Sequence, residues 1–290
     1  MRHFAALLAC ALLAACARAP APSTPEQPAK VPSSAAMEAN RRAEVALRRG
    51  DLEVAALHYR EALRRSLALE DADGIAANAI NLSIVLQRQG KLEEARASLA
   101  PLLERATLSY AAERRAQAAL RRAVLDLDER RTAGAAEWAE RAAAWCGQPC
   151  ALAAAIQNVR GQLALEAGRH GEAAEAAKGA LAAARAVSDD AEAANALRLA
   201  GMAAIAAGDG AGALAPLTEA LAIDRNLGVP RKLTLDLIGL GRASALQGER
   251  DAARAYYERA LAVSEADRDA AGVAEARALA SALGGAAGSR

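Results

Sequence analysis

Residues 50–63 read GDLEVAALHYREAL, and residues 90–103 repeat the design as GKLEEARASLAPLL. Each stretch opens on Gly and places Ala five residues later, at Ala55 and Ala95. A further packing position follows at Tyr59 and Leu99, and each closes on a pair, Ala62-Leu63 and Leu102-Leu103. The same frame returns at Gly168 (Ala173, Ala177, Ala180-Leu181), Gly208 (Ala213, Leu217, Ala220-Leu221) and Gly248 (Ala253, Tyr257, Ala260-Leu261). Forty residues separate Gly50 from Gly90, Gly168 from Gly208, and Gly208 from Gly248. The 78 residues from Gly90 to Gly168 leave room for one degenerate copy around Arg130, Ala135 and Ala139. A fixed period of this length marks a stacked array rather than a single globular core.

The spacing has a physical reading. Gly tolerates the left-handed conformation that ends a helix, and a small residue five positions later lets a second helix lie against the first. Ala43, Ser83, Gly161, Gly201 and Gly241, each seven residues before its repeat glycine, hold the matching close-approach position on the first helix. Asp73-Gly74, Asp190 and Asp269 precede the following first helices, where Asp can cap free N–H groups. Pro101 and Pro216 fall inside second helices and predict kinks. Composition agrees: 53% of residues are hydrophobic but only 2% aromatic, so alanine and leucine must build the core. Alanine is the best helix former, and strand-favouring residues are scarce. The expectation is an all-α solenoid over residues 36–283, with six helix pairs, a capping helix near Ala271–Leu283 and a tail at 284–290.

Gly50-Asp51-Leu52-Glu53, Gly90-Lys91-Leu92-Glu93 and their recurrences resemble the tetratricopeptide repeat. The 40-residue interval exceeds the usual ~34 and is similar to kinesin-light-chain-like repeats with extra helical turns. The resemblance implies a concave surface lined by first helices that binds a protein or extended peptide. The residues it points to there are Asn40, Arg41, Asn81, Gln87, Asn158, Gln162, Asn195, Arg198 and Arg242. Asn81-Leu82-Ser83 matches an Asn-Leu-small step whose amide both donates to and accepts from a peptide backbone. Tyr59 and Tyr257 occupy the aromatic core position.

Ahead of the repeats, residues 1–16 read MRHFAALLACALLAAC: a basic start, an apolar run and small residues. This is a secretory signal over residues 1–15, too short for a permanent span. Leu13-Ala14-Ala15-Cys16 resembles the lipobox of bacterial lipoproteins, which implies acylation of Cys16 and a lipid bilayer as its anchor. Ala17, where inner-membrane lipoproteins commonly carry Asp, implies the periplasmic face of the outer membrane. Residues 16–35 then form a linker carrying Pro20, Pro22, Pro25, Pro28 and Pro32, a composition that favours an extended chain.

Cys146 and Cys150 lie close together in a chain read as exported, and such pairs form disulfides. A redox centre has two intervening residues rather than three, and a metal site would need further ligands. Without Arg2, the mature chain carries 35 basic and 35 acidic residues, against 36 and 35 in the full sequence. That balance argues against nucleic acid as a partner. His58 and His170 have no nucleophile or acid at catalytic spacing. Gly208, Gly210 and Gly212 follow no strand and fall on repeat positions, so they are not a phosphate loop. The sequence therefore reads as a non-enzymatic scaffold without cofactor or metal, serving envelope assembly, secretion or pilus biogenesis. The alternative is an accessory protein of peptidoglycan or envelope turnover.

Overall fold

The computed structural model describes residues 34–104 and 108–285. Cys16, the apolar leader and most of the proline-rich linker lie outside these residues, as do residues 286–290.

Thirteen helices run through the described residues with no strand among them. They pair in sequence as α1 (Ser34–Arg48) with α2 (Leu52–Ala68), α3 (Ala72–Arg88) with α4 (Leu92–Leu103), and α5 (Ala112–Asp128) with α6 (Thr132–Trp145). Then come α7 (Ala153–Glu166) with α8 (His170–Ala186), α9 (Asp190–Ala206) with α10 (Gly210–Leu227), and α11 (Pro230–Leu246) with α12 (Arg250–Asp267). Helix α13 (Ala270–Gly285) closes the array. One 17-residue helix, one 18-residue helix and their two short turns fill the 40-residue period, as α9 and α10 show.

The turns explain why glycine recurs. Gly50, Gly90, Gly168, Gly208 and Gly248 all have φ between 73° and 81°, in the left-handed region. Arg130 occupies the same place in the degenerate pair at φ 57°. Between pairs, Glu70, Ser188, Gly228 and Arg268 take the left-handed conformation. The α6–α7 connection differs: it is the Cys146–Cys150 loop, with a disulfide S–S distance of 2.14 Å.

Close approach accounts for the small residues. A methyl group on Gly201 would come 2.4 Å from Leu217 Cγ, and one on Gly241 would come 2.3 Å from the Tyr257 ring. Ala55, Ala95, Ala135, Ala173, Ala213 and Ala253 are all fully buried, and Tyr59 and Tyr257 lie in the core beside them.

Two details depart from the sequence reading. The capping residues are Asp71, Asp189 and Asp209, whose carboxylates accept from Gly74 N, Glu192 N and Gly212 N. Asp73 and Asp190 lie inside the first turns, because the helices begin one or two residues earlier than expected. Pro101 lies two residues before the end of α4, the shortest helix, whereas α10 continues through Pro216 to Leu227.

Successive odd-numbered helices touch one another all along the array, from α1·α3 to α11·α13, whereas no two even-numbered helices do among the described residues. Contact along one layer and none along the other is what a curved array produces. The odd helices therefore form the inner, concave wall and the even helices the outer wall.

Candidate functional site

The inner wall is assembled from corresponding positions on α3, α5, α7, α9 and α11. Counting back six residues from each repeat glycine gives Ile84, Gln162, Met202 and Arg242, with Val124 in the degenerate pair. Ile84, Val124 and Met202 are half-buried, which leaves aliphatic surface between the polar groups.

The polar groups divide into two sets. Asn40, Asn158, Asn195, Arg198 and Arg242 are committed to bonds within the solenoid. Asn40 Nδ2 donates to Asn78 Oδ1 at 2.7 Å. Asn158 Nδ2 donates to the Glu192 backbone oxygen at 3.1 Å and to its carboxylate at 2.7 Å. Asn195 Nδ2 donates to that same carboxylate at 3.2 Å, while its Oδ1 accepts from Arg198 at 3.0 Å and from Lys232. Arg242 pairs with Glu275 at 2.8 Å. Asn81 and Gln162 make no side-chain bond among the described residues and remain available.

Arg198 is the centre of an ionic node. It pairs with Asp236 at 2.7 Å and with Asp224, and its side chain is only 11% exposed. Desolvation raises the Asp236 carboxyl to about 6, against the pull of Arg198 and with the help of neighbouring Asp224. A buried charge cluster of this kind costs much desolvation and is held only by complete pairing. Arg198 is therefore a structural residue of the α9–α10–α11 junction, not a free contact for a ligand. Sequence reasoning missed this because Asp224 lies on a second helix, 26 residues from Arg198.

Two inner-wall cations escaped the sequence reading. Arg121, on α5, holds the repeat position of Asn81, nine residues before the repeat turn. Its Nε donates to Ser83 Oγ at 3.0 Å, and its Nη2 donates to the Ser83 oxygen at 3.3 Å and to Gln87. Burial pushes it down to about 10, despite the attraction of Asp128. Lys232, in the first turn of α11, donates to Asn195 Oδ1, and burial together with Arg198 lowers it as well. Position equivalence with Asn81 was the signal that could have found Arg121. The outer wall treats its charges differently. Arg96 on α4 is 4% exposed and is matched by Glu129, Glu93 and Asp126.

Among the described residues no His, Cys, Asp and Glu group could hold a metal ion, and no helix is long and apolar enough to cross a membrane. Cavities are shallow. One of about 370 Å³ lies between α1 and α2, lined by Arg41, Arg42, Val45, Arg49, Val54 and His58.

Curvature, paired helices and glycine turns together define a tetratricopeptide-repeat solenoid. BtubC (BKLC) from P. vanneervenii superposes on 81% of this chain and 91% of its own length, at 20% identity and a TM-score of 0.53. A Rap protein complexed with Competence and Sporulation Factor matches 83% of this chain and 68% of its own, at 13% identity and a TM-score of 0.60. A signal transduction ATPase with a tetratricopeptide repeat sensor, from Pyrococcus horikoshii, matches 85% of this chain and 36% of its own, at 14% identity and 0.61. No family model and no curated protein matches the sequence. At these identities the likeness concerns the fold.

Proposed function

We propose that the chain is a non-enzymatic adaptor, held on the periplasmic face of the outer membrane by lipid on Cys16, that binds an extended protein segment along its inner wall. Such an adaptor would serve envelope assembly, secretion or pilus biogenesis. One observation carries the binding reading: the odd helices touch one another from end to end, so side chains such as Asn81 and Gln162 lie on one continuous surface. Repeat solenoids use surfaces of this kind for binding. The Rap relative of this fold is solved with a factor bound, which supports the same use here. The anchor rests on Leu13-Ala14-Ala15-Cys16, and acyl chains at about 0.8 kcal/mol per buried CH₂ hold a protein stably on a bilayer.

Photo-crosslinking residues placed at Asn81 and Gln162, with Leu57 on α2 as the outer-wall control, test the groove in intact cells. Partner adducts are expected from the first two positions and not from Leu57, which is 63% exposed. Adducts from Leu57 alone would place binding on the outer wall. For the anchor, Cys16→Ala should release the protein from membranes, and retention of that variant would overturn it.

A further inference from the structure

We propose that the first helix pair is itself a membrane-docking face. Arg41, Arg42 and Arg49 meet anionic phospholipid headgroups there, and Val45, Val54 and Leu57 enter the interface beside them. This inference goes beyond the lipid on Cys16 and rests on that reading only for the nearness of the bilayer.

Each later first helix is flanked by the pair before it, whereas no described helix precedes α1. Val45 shows the consequence. Five residues before the repeat turn, its counterparts Val85, Leu125, Ala203 and Ala243 are at most 2% exposed, while Val45 is only half-buried. It lines the concavity between α1 and α2 together with the three arginines, Val54 and His58. On α2 the outward positions are filled as in no other pair. Val54 is 46% exposed and Leu57 63%, and residues three apart on a helix share a face. At the position of Val54 the other second helices carry Glu94, Gly134, Glu172, Gly212 and Ala252. At that of Leu57 they carry Ala97, Glu137, Glu175, Ala215 and Ala255. Both positions are small or acidic everywhere but in the first pair.

The charge beside these aliphatic groups is positive. Arg41, at the end of the inner wall, and Arg49 are exposed and form no ion pair among the described residues. Arg42 pairs with Glu38, but both side chains are more than half exposed, and such a pair is weak in water. Asp51 is the one acid lining the same concavity. Guanidinium groups match phosphate oxygens in a planar fork. Arginines next to exposed aliphatic side chains suit the boundary of an anionic bilayer, where the cations meet headgroups and the aliphatic groups reach the acyl region.

Proximity favours a bilayer over other anionic partners. Residues 17–33 separate Cys16 from Ser34, the first residue of α1. A chain of that length, anchored at Cys16, holds α1 within about 60 Å of the membrane even at full extension. Docking is then an intramolecular step. An effective concentration of about a millimolar offsets the modest size and charge of the face.

The test places a nitrobenzoxadiazole label on the full chain at Leu57→Cys or, as control, at Ala215→Cys, the same repeat position on α10. Vesicles of phosphatidylglycerol with phosphatidylethanolamine, or of phosphatidylcholine alone, carry a nitroxide quencher on the headgroup. Position 57 should be quenched on the anionic vesicles, several-fold less on phosphatidylcholine, and position 215 on neither. Arg41→Glu with Arg49→Glu should abolish quenching at 57 while helical circular dichroism stays unchanged, because both side chains are exposed. If that variant fails to fold, Arg41→Gln with Arg49→Gln carries the test. Arg254→Glu on α12 should change nothing. The Cys16→Ala chain should show the same pattern at roughly a hundredfold more lipid and lose it in 300 mM NaCl, where the arginines are screened. Equal quenching at positions 57 and 215, equal quenching on the two vesicle types, or indifference to the arginine substitutions each overturns the proposal. A photo-crosslinker at Leu57 that captures protein rather than lipid in cells would give the face to a protein partner and overturn it too. Wild type that stays on vesicles without quenching at 57 would leave the anchor standing and remove the docking face. Quenching that needs no more lipid in Cys16→Ala than in wild type would keep the docking face and remove the anchor.

Discussion

At the scale of single residues, the array is held by places where no side chain fits. Gly241 lies against Tyr257, Gly201 against Leu217, and Gly161 has Leu199 only 2.4 Å from where a Cβ would stand. Overpacking such a contact typically costs about 1–3 kcal/mol. Gly201→Ala and Gly241→Ala should therefore lower the urea midpoint, followed by helical circular dichroism. Gly147→Ala, which would meet nothing within 4 Å, should leave it unchanged. Equal midpoints for all three variants would contradict the close-approach account. These positions were legible in the sequence because a steric requirement recurs at a fixed distance from the turn glycine. The caps were less legible. Asp71 precedes α3 and Asp73 lies in its first turn, as Asp189 precedes α9 and Asp190 opens it, and only backbone geometry decides which carboxylate reaches the free N–H groups.

At the scale of helices, one junction position is filled in chemically different ways along the array. Sixteen residues after the repeat glycine, α2, α8, α10 and α12 carry a buried residue, Ser66, Ala184, Asp224 and Ser264, at the junction between pairs. At Ser66 this residue accepts from Asn78 Nδ2 at 3.3 Å, and Asn78 in turn accepts from Asn40. The corresponding trio between α9, α10 and α11 is Arg198, Asp224 and Asp236, so a neutral hydrogen-bonded node has become an ionic one. Cys146, just beyond the end of α6, occupies the same position relative to Arg130 and is 8% exposed. The repeat pattern made the position visible, but not the ionic partnership, because its members are joined across three helices.

The ionic node carries a pH signature. Asp236 has its ordinary value of 3.8 in an unfolded chain and about 6 in the fold, raised chiefly by desolvation. A raised value means that folding favours the protonated form, so this contribution is complete below 3.8 and is lost as pH rises through about 6. Melting temperatures of the wild type and Asp236→Asn, compared from pH 4 to pH 7, isolate it from the other carboxylates. The wild type's advantage over the variant should shrink as pH rises through this window, by several degrees in all. A pH-independent difference would mean that Asp236 keeps an ordinary value in the fold.

At the scale of the whole molecule, a solenoid is as cooperative as its weakest junction, because each pair contacts only its neighbours. Packing between consecutive helices is slimmest at α6–α7 and next slimmest at α4–α5. The α6–α7 turn also lacks the left-handed residue that closes the turns after α2, α8, α10 and α12. Here the chain carries the Cys146–Cys150 bridge instead, with Trp138, Ile156 and Val159 packed in the cluster around Cys146. Arg115 from α5 stacks on Trp145 at 4.0 Å, tying the end of α6 back to its own pair. By the chain-entropy estimate, so small a loop contributes about 2 kcal/mol. Placed at a slim interface, that contribution decides whether the two halves of the array unfold together. The double variant Cys146→Ser, Cys150→Ser should therefore keep its helix content at 25 °C yet melt in two steps. Hydrogen exchange should show one half, α1–α6, opening separately from the other, α7–α13. The oxidised wild type should melt in one step and revert to two on reduction with dithiothreitol. A single transition in the double variant would show that Ile156 and Val159 couple the halves without the bridge, and that the cysteines act only on the local turn.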